Sequence, residues 1–146
     1  MVTEVQMILR LLFAALLGGI VGFEREINEK AAGFRTHILV CLGSCVIMLT
    51  SMHIFDIYRG LADVDPGRIA AQVVTGVGFL GAGTIIRSRA SIVGLTTAAS
   101  LWSIAGVGLA IGSGLYIVAV AATILILASL LVLNKIEKRV VSKRKK

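Results

Sequence analysis

The chain reads as an all-α integral membrane protein, a compact bundle of about five transmembrane helices. Three observations predict this class. Of the 146 residues, 57% are hydrophobic, against about 45–50% in soluble domains. The apolar residues gather in five segments of 17 to 20 residues. That length suits helices crossing a ~30 Å hydrocarbon core, where strands would need only about ten alternating residues. Lys and Arg, finally, crowd into alternate connections, as they do in proteins threaded through a membrane.

The first segment, Met7–Phe23, carries Gly18 and Gly22, a G-x-x-x-G pair of the kind that lets membrane helices approach closely. The preceding "MVTEVQ" lacks the positive region of a cleavable signal, so this segment is expected to remain as a span. The second segment, His37–Phe55, places His37, Cys41 and Cys45 at i, i+4 and i+8. Such a row offers soft metal ligands. Yet one straight helix rarely supplies three ligands to one ion, and free Cys is commonly a small buried apolar residue. Shared placement on one helix also argues against a disulfide.

The third segment, Ile69–Ile86, contains "GVGFLG", which spells G-x-G-x-x-G. A dinucleotide-binding turn needs a strand before it, a helix after it and an acidic residue about 20 positions on. These glycines lie inside an apolar run, and no Asp or Glu occurs between Asp65 and Glu137. They read instead as packing residues. Gly76 and Gly83 share one face, and Gly78 another with Gly81 nearby, so this helix is expected to be packed on two sides. The fourth segment, Ile92–Ile111, has its own small stripe of Gly94, Ala98, Ala105, Gly108 and Gly112. The fifth, Gly114–Leu133, is bulkier and reads as lipid-facing. A bundle centred on segments 1, 3 and 4 follows. Residues 1–133 form the transmembrane domain, and 134–146 a basic tail.

Five spans put the termini on opposite sides. The connections after segments 1 and 3, with the tail, hold twelve Lys and Arg; the other side holds three, Arg10, Arg59 and Arg68. The rule that positive charge stays inside then places the C-terminus in the cytoplasm and the N-terminus outside. The net charge of +7 is mostly this asymmetry. It points to anionic lipid headgroups rather than nucleic acid as the tail's partner.

Ionisable groups at membrane depth are costly and usually functional. At the outer end, Asp65 and Pro66 in "DVDPGR" form a helix start. Arg68, Gln72, Gly76, Phe79, Gly83 and Arg87 then fall within one arc of the third helix, a polar and small stripe from outer to inner surface. At the inner end lie Glu24, Arg25 and Glu26 of "GFEREINEK", Arg35 and Thr36 of "GFRTH", Arg87, and Thr96 and Thr97 of "GLTTAAS". The expected arrangement pairs Glu24 or Glu26 with Arg87 or Arg35 across helices. No catalytic triad, HExxH, Walker A or CxxC motif is present. The chain is therefore read as non-enzymatic and without a cofactor.

"GFERE", "AGFRTH", "DPGRIAAQVVTGVGFLGAGTIIR" and "GLTTAASLW" resemble the blocks of the MgtC/SapB membrane proteins, over about Leu11 to Leu133. The resemblance implies a bacterial inner-membrane protein of about five spans. It implies a link to growth in low Mg²⁺, to membrane potential and to the ATP synthase as a partner. Many members carry a C-terminal ACT-like domain; a short form without it is expected here. The combined expectation is a non-enzymatic protein of Mg²⁺, cation or membrane-energy homeostasis, acting through partner contacts. It sits in the lipid bilayer as a homo-oligomer such as a dimer. The alternative is a small transporter or channel for Mg²⁺ or a monovalent cation, with the third-helix stripe as its path in an oligomer.

Overall fold

A computed structural model describes residues 2–61, 63–88 and 91–133. Among these the chain forms five α-helices and one short hairpin. They are α1 (Glu4–Ile27), α2 (Phe34–Tyr58), α3 (Pro66–Gly83), β1 (Ile86–Ser88), β2 (Ser91–Val93), α4 (Leu95–Ser113) and α5 (Tyr116–Ala128). A π-helical turn, Ser129–Leu133, continues α5. Helices α1, α2 and α4 are each long and apolar enough to cross a membrane. Helix α3 has 18 residues, and the apolar stretch of α5 with its π turn runs Tyr116–Val132. The all-α membrane class holds. The basic tail lies outside the described residues.

Local chemistry sets the helix ends. Thr3 Oγ1 accepts from the Gln6 amide at 3.3 Å and Gln6 Oε1 accepts from the Thr3 amide at 3.1 Å. This reciprocal capping box starts α1 three residues before the expected apolar segment. Asp65 Oδ1 accepts from the Gly67 amide at 2.8 Å, with Pro66 in the first turn of α3, as the sequence suggested. Gly114, at φ +90°, closes α4: its amide reaches the Ile111 carbonyl and the Leu115 amide reaches Ala110.

The sharpest departure lies between α3 and α4. The third helix stops at Gly83 instead of Ile86, and β1 pairs with β2 in antiparallel register, Ile86 opposite Val93 and Arg87 opposite Ile92. Gly94 follows at φ +97°, where a Cβ would strike the Thr84 carbonyl. Its glycine serves this chain reversal, not helix packing.

The centre of the bundle is α2, not α3. A Cβ on Gly18 would stand 2.8 Å from the His37 carbonyl, and one on Gly22 would stand 2.8 Å from Phe34 Cα. From the other side, Gly112 faces the Cys45 carbonyl and Met48, and Gly108 meets Cys41 and Ser44. Helices α1 and α4 thus press their glycines onto the backbone and Cβ atoms of α2. The dense core among Ala14, Val21, Cys41, Cys45, Ile104 and Ile111 results. Helix α3 sits at the side. Its Val73 and Val77 join Leu101 and Ala105, and Gly81 meets Ala98. Helix α3 borders both α2 and α4, but Gly76, Gly78 and Gly83 have no heavy atom within 4 Å of an added Cβ, so these glycines are not its packing surface within the protomer.

Candidate functional site

The last turns of α1 and the first turns of α2 and α4 meet in a polar cluster beneath the core. Arg25 is 3% exposed and Glu24 8%. The guanidinium donates from Nη2 to Thr97 Oγ1 at 2.9 Å, and Nη1 lies 4.0 Å from Glu24 Oε2. Asn28 Nδ2 donates to Glu24 Oε1 at 2.9 Å. Glu24 Oε2 and Arg25 Nε are buried without a hydrogen-bond partner. This ion pair is the only one formed among the described residues.

His37 is fully buried beside it. Nδ1 lies 2.9 Å from the Gly33 carbonyl and Nε2 3.1 Å from Ser100 Oγ. A carbonyl only accepts, so Nδ1 carries a proton and donates to Gly33, while Nε2 meets the Ser100 hydroxyl. That hydroxyl is also 2.9 Å from the Thr97 carbonyl. Nδ1 is thus held within the start of α2, and Nε2 joins α2 to α4. Cys41 and Cys45 are buried free thiols in the same seam.

Glu26 acts differently from expectation. Its Oε2 accepts from the Phe34 amide at 2.9 Å, capping α2 from a distance because Gly33 has no side chain with which to do so. The expected pairing of Glu24 or Glu26 with Arg35 or Arg87 is not formed. Arg25, immobilised between α1 and α4, supplies the cation instead. Arg87 stands exposed on β1, because α3 ends before reaching it.

The third-helix stripe is only partly realised. Arg68, Gln72 and Gly76 line an open groove between α2 and α3 of about 1190 Å³, with Asp65 at one end and Arg35 and Thr36 at the other. Phe79 points away, 82% exposed. Thr96 lines a separate cavity of about 300 Å³ between α4 and α5, with Ser100 and Ser103. The cluster therefore unites Glu24, Arg25 and Thr97, while Arg35, Thr36, Asp65, Arg68 and Gln72 share the groove. His37 and Ser100 were not singled out as polar partners by the sequence reading. The i, i+3, i+4, i+7 spacing of Cys41, Ser44, Cys45 and Met48 does mark the face of α2 that His37 extends.

At the opposite end, Arg10 ties α1 to the α4–α5 corner. It donates to the Gly112 carbonyl at 2.6 Å and the Tyr116 hydroxyl at 2.8 Å, with its guanidinium 5.6 Å from the Tyr116 ring centre. The sequence reading used Arg10 only as a charge.

The model of the MgtC family matches residues 11–139, through α1 and the cluster to the end of α5. The chain belongs to the MgtC family. As a family member it is 44% identical over 140 residues to the putative magnesium transporter YhiD of Escherichia coli K12, covering 94% of this chain and 65% of that one. It is 45% identical over 133 residues to the protein MgtC of Salmonella typhimurium LT2, covering 91% and 54%. An uncharacterised protein of Haemophilus influenzae is 41% identical over 125 residues, covering 83% and 52%. The chain thus spans between half and two thirds of the length of these curated MgtC-family relatives. No solved structure matches it. Family membership and the three long apolar helices make it a multi-pass membrane protein.

Proposed function

We propose that this protein serves Mg²⁺ or membrane-energy homeostasis at the bacterial inner membrane, without catalysis, by contacting other membrane helices. Its N-terminus lies outside and its C-terminus in the cytoplasm, in keeping with the Lys and Arg asymmetry. The names of its relatives, MgtC and a putative magnesium transporter, support the Mg²⁺ link.

The observation that carries the contact role is the uncovered side of α3. Ala71, Thr75, Gly78 and Ala82 recur at i, i+4, i+7 and i+11, all exposed. Small residues on one helical face are how helices pack in lipid. The occupant is a second copy of the chain or a partner such as the ATP synthase membrane sector, the latter by family resemblance.

Transport is the second reading, favoured by Asp63 and Asp65 at the groove mouth. The groove's middle, however, has only Gln72 and Ser44 as polar lining and is otherwise walled by apolar side chains such as Leu39, Val40, Ile47, Val73 and Val77. These apolar walls offer a cation no oxygen ligands of the sort Mg²⁺ demands. Two measurements decide between the readings. A photo-crosslinker at Gly78 should capture a membrane helix in cells, and purified protein in liposomes should leave Mg²⁺, K⁺ and H⁺ gradients intact. Saturable Mg²⁺ flux by the protein alone would establish the transporter instead.

A further inference from the structure

The groove between α2 and α3 has two unlike ends and a floor made by missing side chains. Gly43 and Gly76 line it, and neither has a heavy atom within 4 Å of an added Cβ. Between its ends the walls are mostly aliphatic, including Leu39, Ile47 and Leu80; the polar exceptions are Gln72 and Ser44, and the Ser44 hydroxyl is spent on the Val40 carbonyl. From Arg35 to Ile47, α2 rises about 18 Å. One leaflet of a ~30 Å hydrocarbon core is about 15 Å deep. The groove therefore has the length and polarity of one acyl chain.

Charge orients the occupant. The Asp63 and Asp65 end carries two carboxylates against Arg68 alone. The other end carries Arg35 and the Thr36 hydroxyl with no acidic lining residue. Arg35 and Thr36 lie in the first turn of α2, where the Glu26 carboxylate takes the Phe34 amide and the next amides lack intrahelical acceptors. Among the described residues Arg35 makes no ion pair. A phosphodiester is accepted at this end and repelled at the other.

We propose that the α2–α3 groove binds one anionic glycerophospholipid, its phosphate at Arg35 and Thr36 and one acyl chain lying over Gly43 and Gly76. The site is distinct from the small-residue face of α3 and does not depend on what that face contacts. On the orientation proposed above, the lipid comes from the cytoplasmic leaflet.

The test is native mass spectrometry of the full chain, stripped in detergent and titrated with phosphatidylglycerol or phosphatidylcholine of identical chains. One phosphatidylglycerol should be retained per protomer, about fivefold more tightly than phosphatidylcholine, the preference one Arg supplies near a membrane surface. Arg35→Gln should erase the preference while phosphatidylcholine retention stays the same. Gly76→Leu should lose both lipids with a thermal midpoint no lower than the wild type's, since the added side chain enters open space and replaces a helix-interior glycine. Gly43→Leu repeats that test from α2. Equal retention of the two lipids by the wild type, or phosphatidylglycerol binding unchanged in Arg35→Gln, overturns the proposal. So does a dimer in which the groove is covered and no lipid is retained.

Discussion

Helix α4 carries two glycines, two residues apart, whose replacement by alanine should act in opposite directions. Gly106 has no heavy atom within 4 Å of an added Cβ. Gly106→Ala therefore meets nothing, and it removes backbone freedom from the unfolded chain, a gain of about 0.4–1 kcal/mol. Gly108→Ala makes the same gain but meets α2. The new Cβ would stand 2.8 Å from Ser44 Cβ and 3.1 Å from the Cys41 carbonyl carbon, with the Cys41 carbonyl oxygen nearer still. The obstacle is backbone, so no side chain can rotate away. The two helices must part by on the order of 1 Å, and a gap of that size forfeits a quarter to a half of each affected dispersion contact. Overfilling of this kind costs about 1–3 kcal/mol. The net result for Gly108→Ala is a loss of about 1–2 kcal/mol, roughly tenfold in the unfolding equilibrium. Steric trapping or thermal unfolding in mild detergent measures both variants against the wild type. Equal stabilities of the two variants, or Gly108→Ala proving the more stable, would refute the packing of α4 glycines on the α2 backbone.

Thr97→Val should cost about 1.5–3 kcal/mol, because it strips a hydrogen bond from a buried charge. Combining it with Arg25→Met should cost less than the sum of the two single changes, and a double-mutant cycle showing strict additivity would mean that the pair is not coupled. Gly94→Ala should destabilise by more than about 1 kcal/mol, since its left-handed backbone suits only glycine. A detergent melting curve matching that of the wild type would speak against the tight Thr84–Gly94 reversal. Glu26→Ala should lose about 0.5–2 kcal/mol of capping, and Glu26→Gln, which keeps a carbonyl acceptor, should recover most of it. Gly83→Leu should leave the isolated protomer as stable as before, because its surroundings are open. A stability loss that appears only at concentrations where the protein self-associates would place Gly83 in an interface between copies.

The polar cluster shows how far residue types carry and where they stop. Glu24, Arg25 and Thr97 are conspicuous in the chain because charge and hydroxyls are scarce beside long apolar runs. Their pairing is not conspicuous, since Arg25 and Thr97 stand 72 residues apart. Among five nearby charges, selecting the buried two depends on helix rotation. Arg25 turns toward α4, whereas Arg35 turns toward the groove. A pairing chosen on proximity to one membrane face selected Arg35 and Arg87 and missed the guanidinium that is enclosed.

Composition and segment length alone were enough for the membrane class, since no soluble fold of this size could hide so much apolar surface. Short-range signals also sufficed for the Asp65–Pro66 helix start and for the close approach at Gly18, Gly22, Gly108 and Gly112, because caps and small-residue spacing act over one or two turns. The central place of α2, the hairpin that displaces Arg87, the open side of α3 and the groove beside it emerged only once the helices were assembled. The reason lies in the solvent. In water an apolar face must turn inward, so periodicity reveals the core; in lipid it is equally at ease outside. A glycine stripe then marks a face that could be pressed, and the neighbouring helix alone determines whether it is.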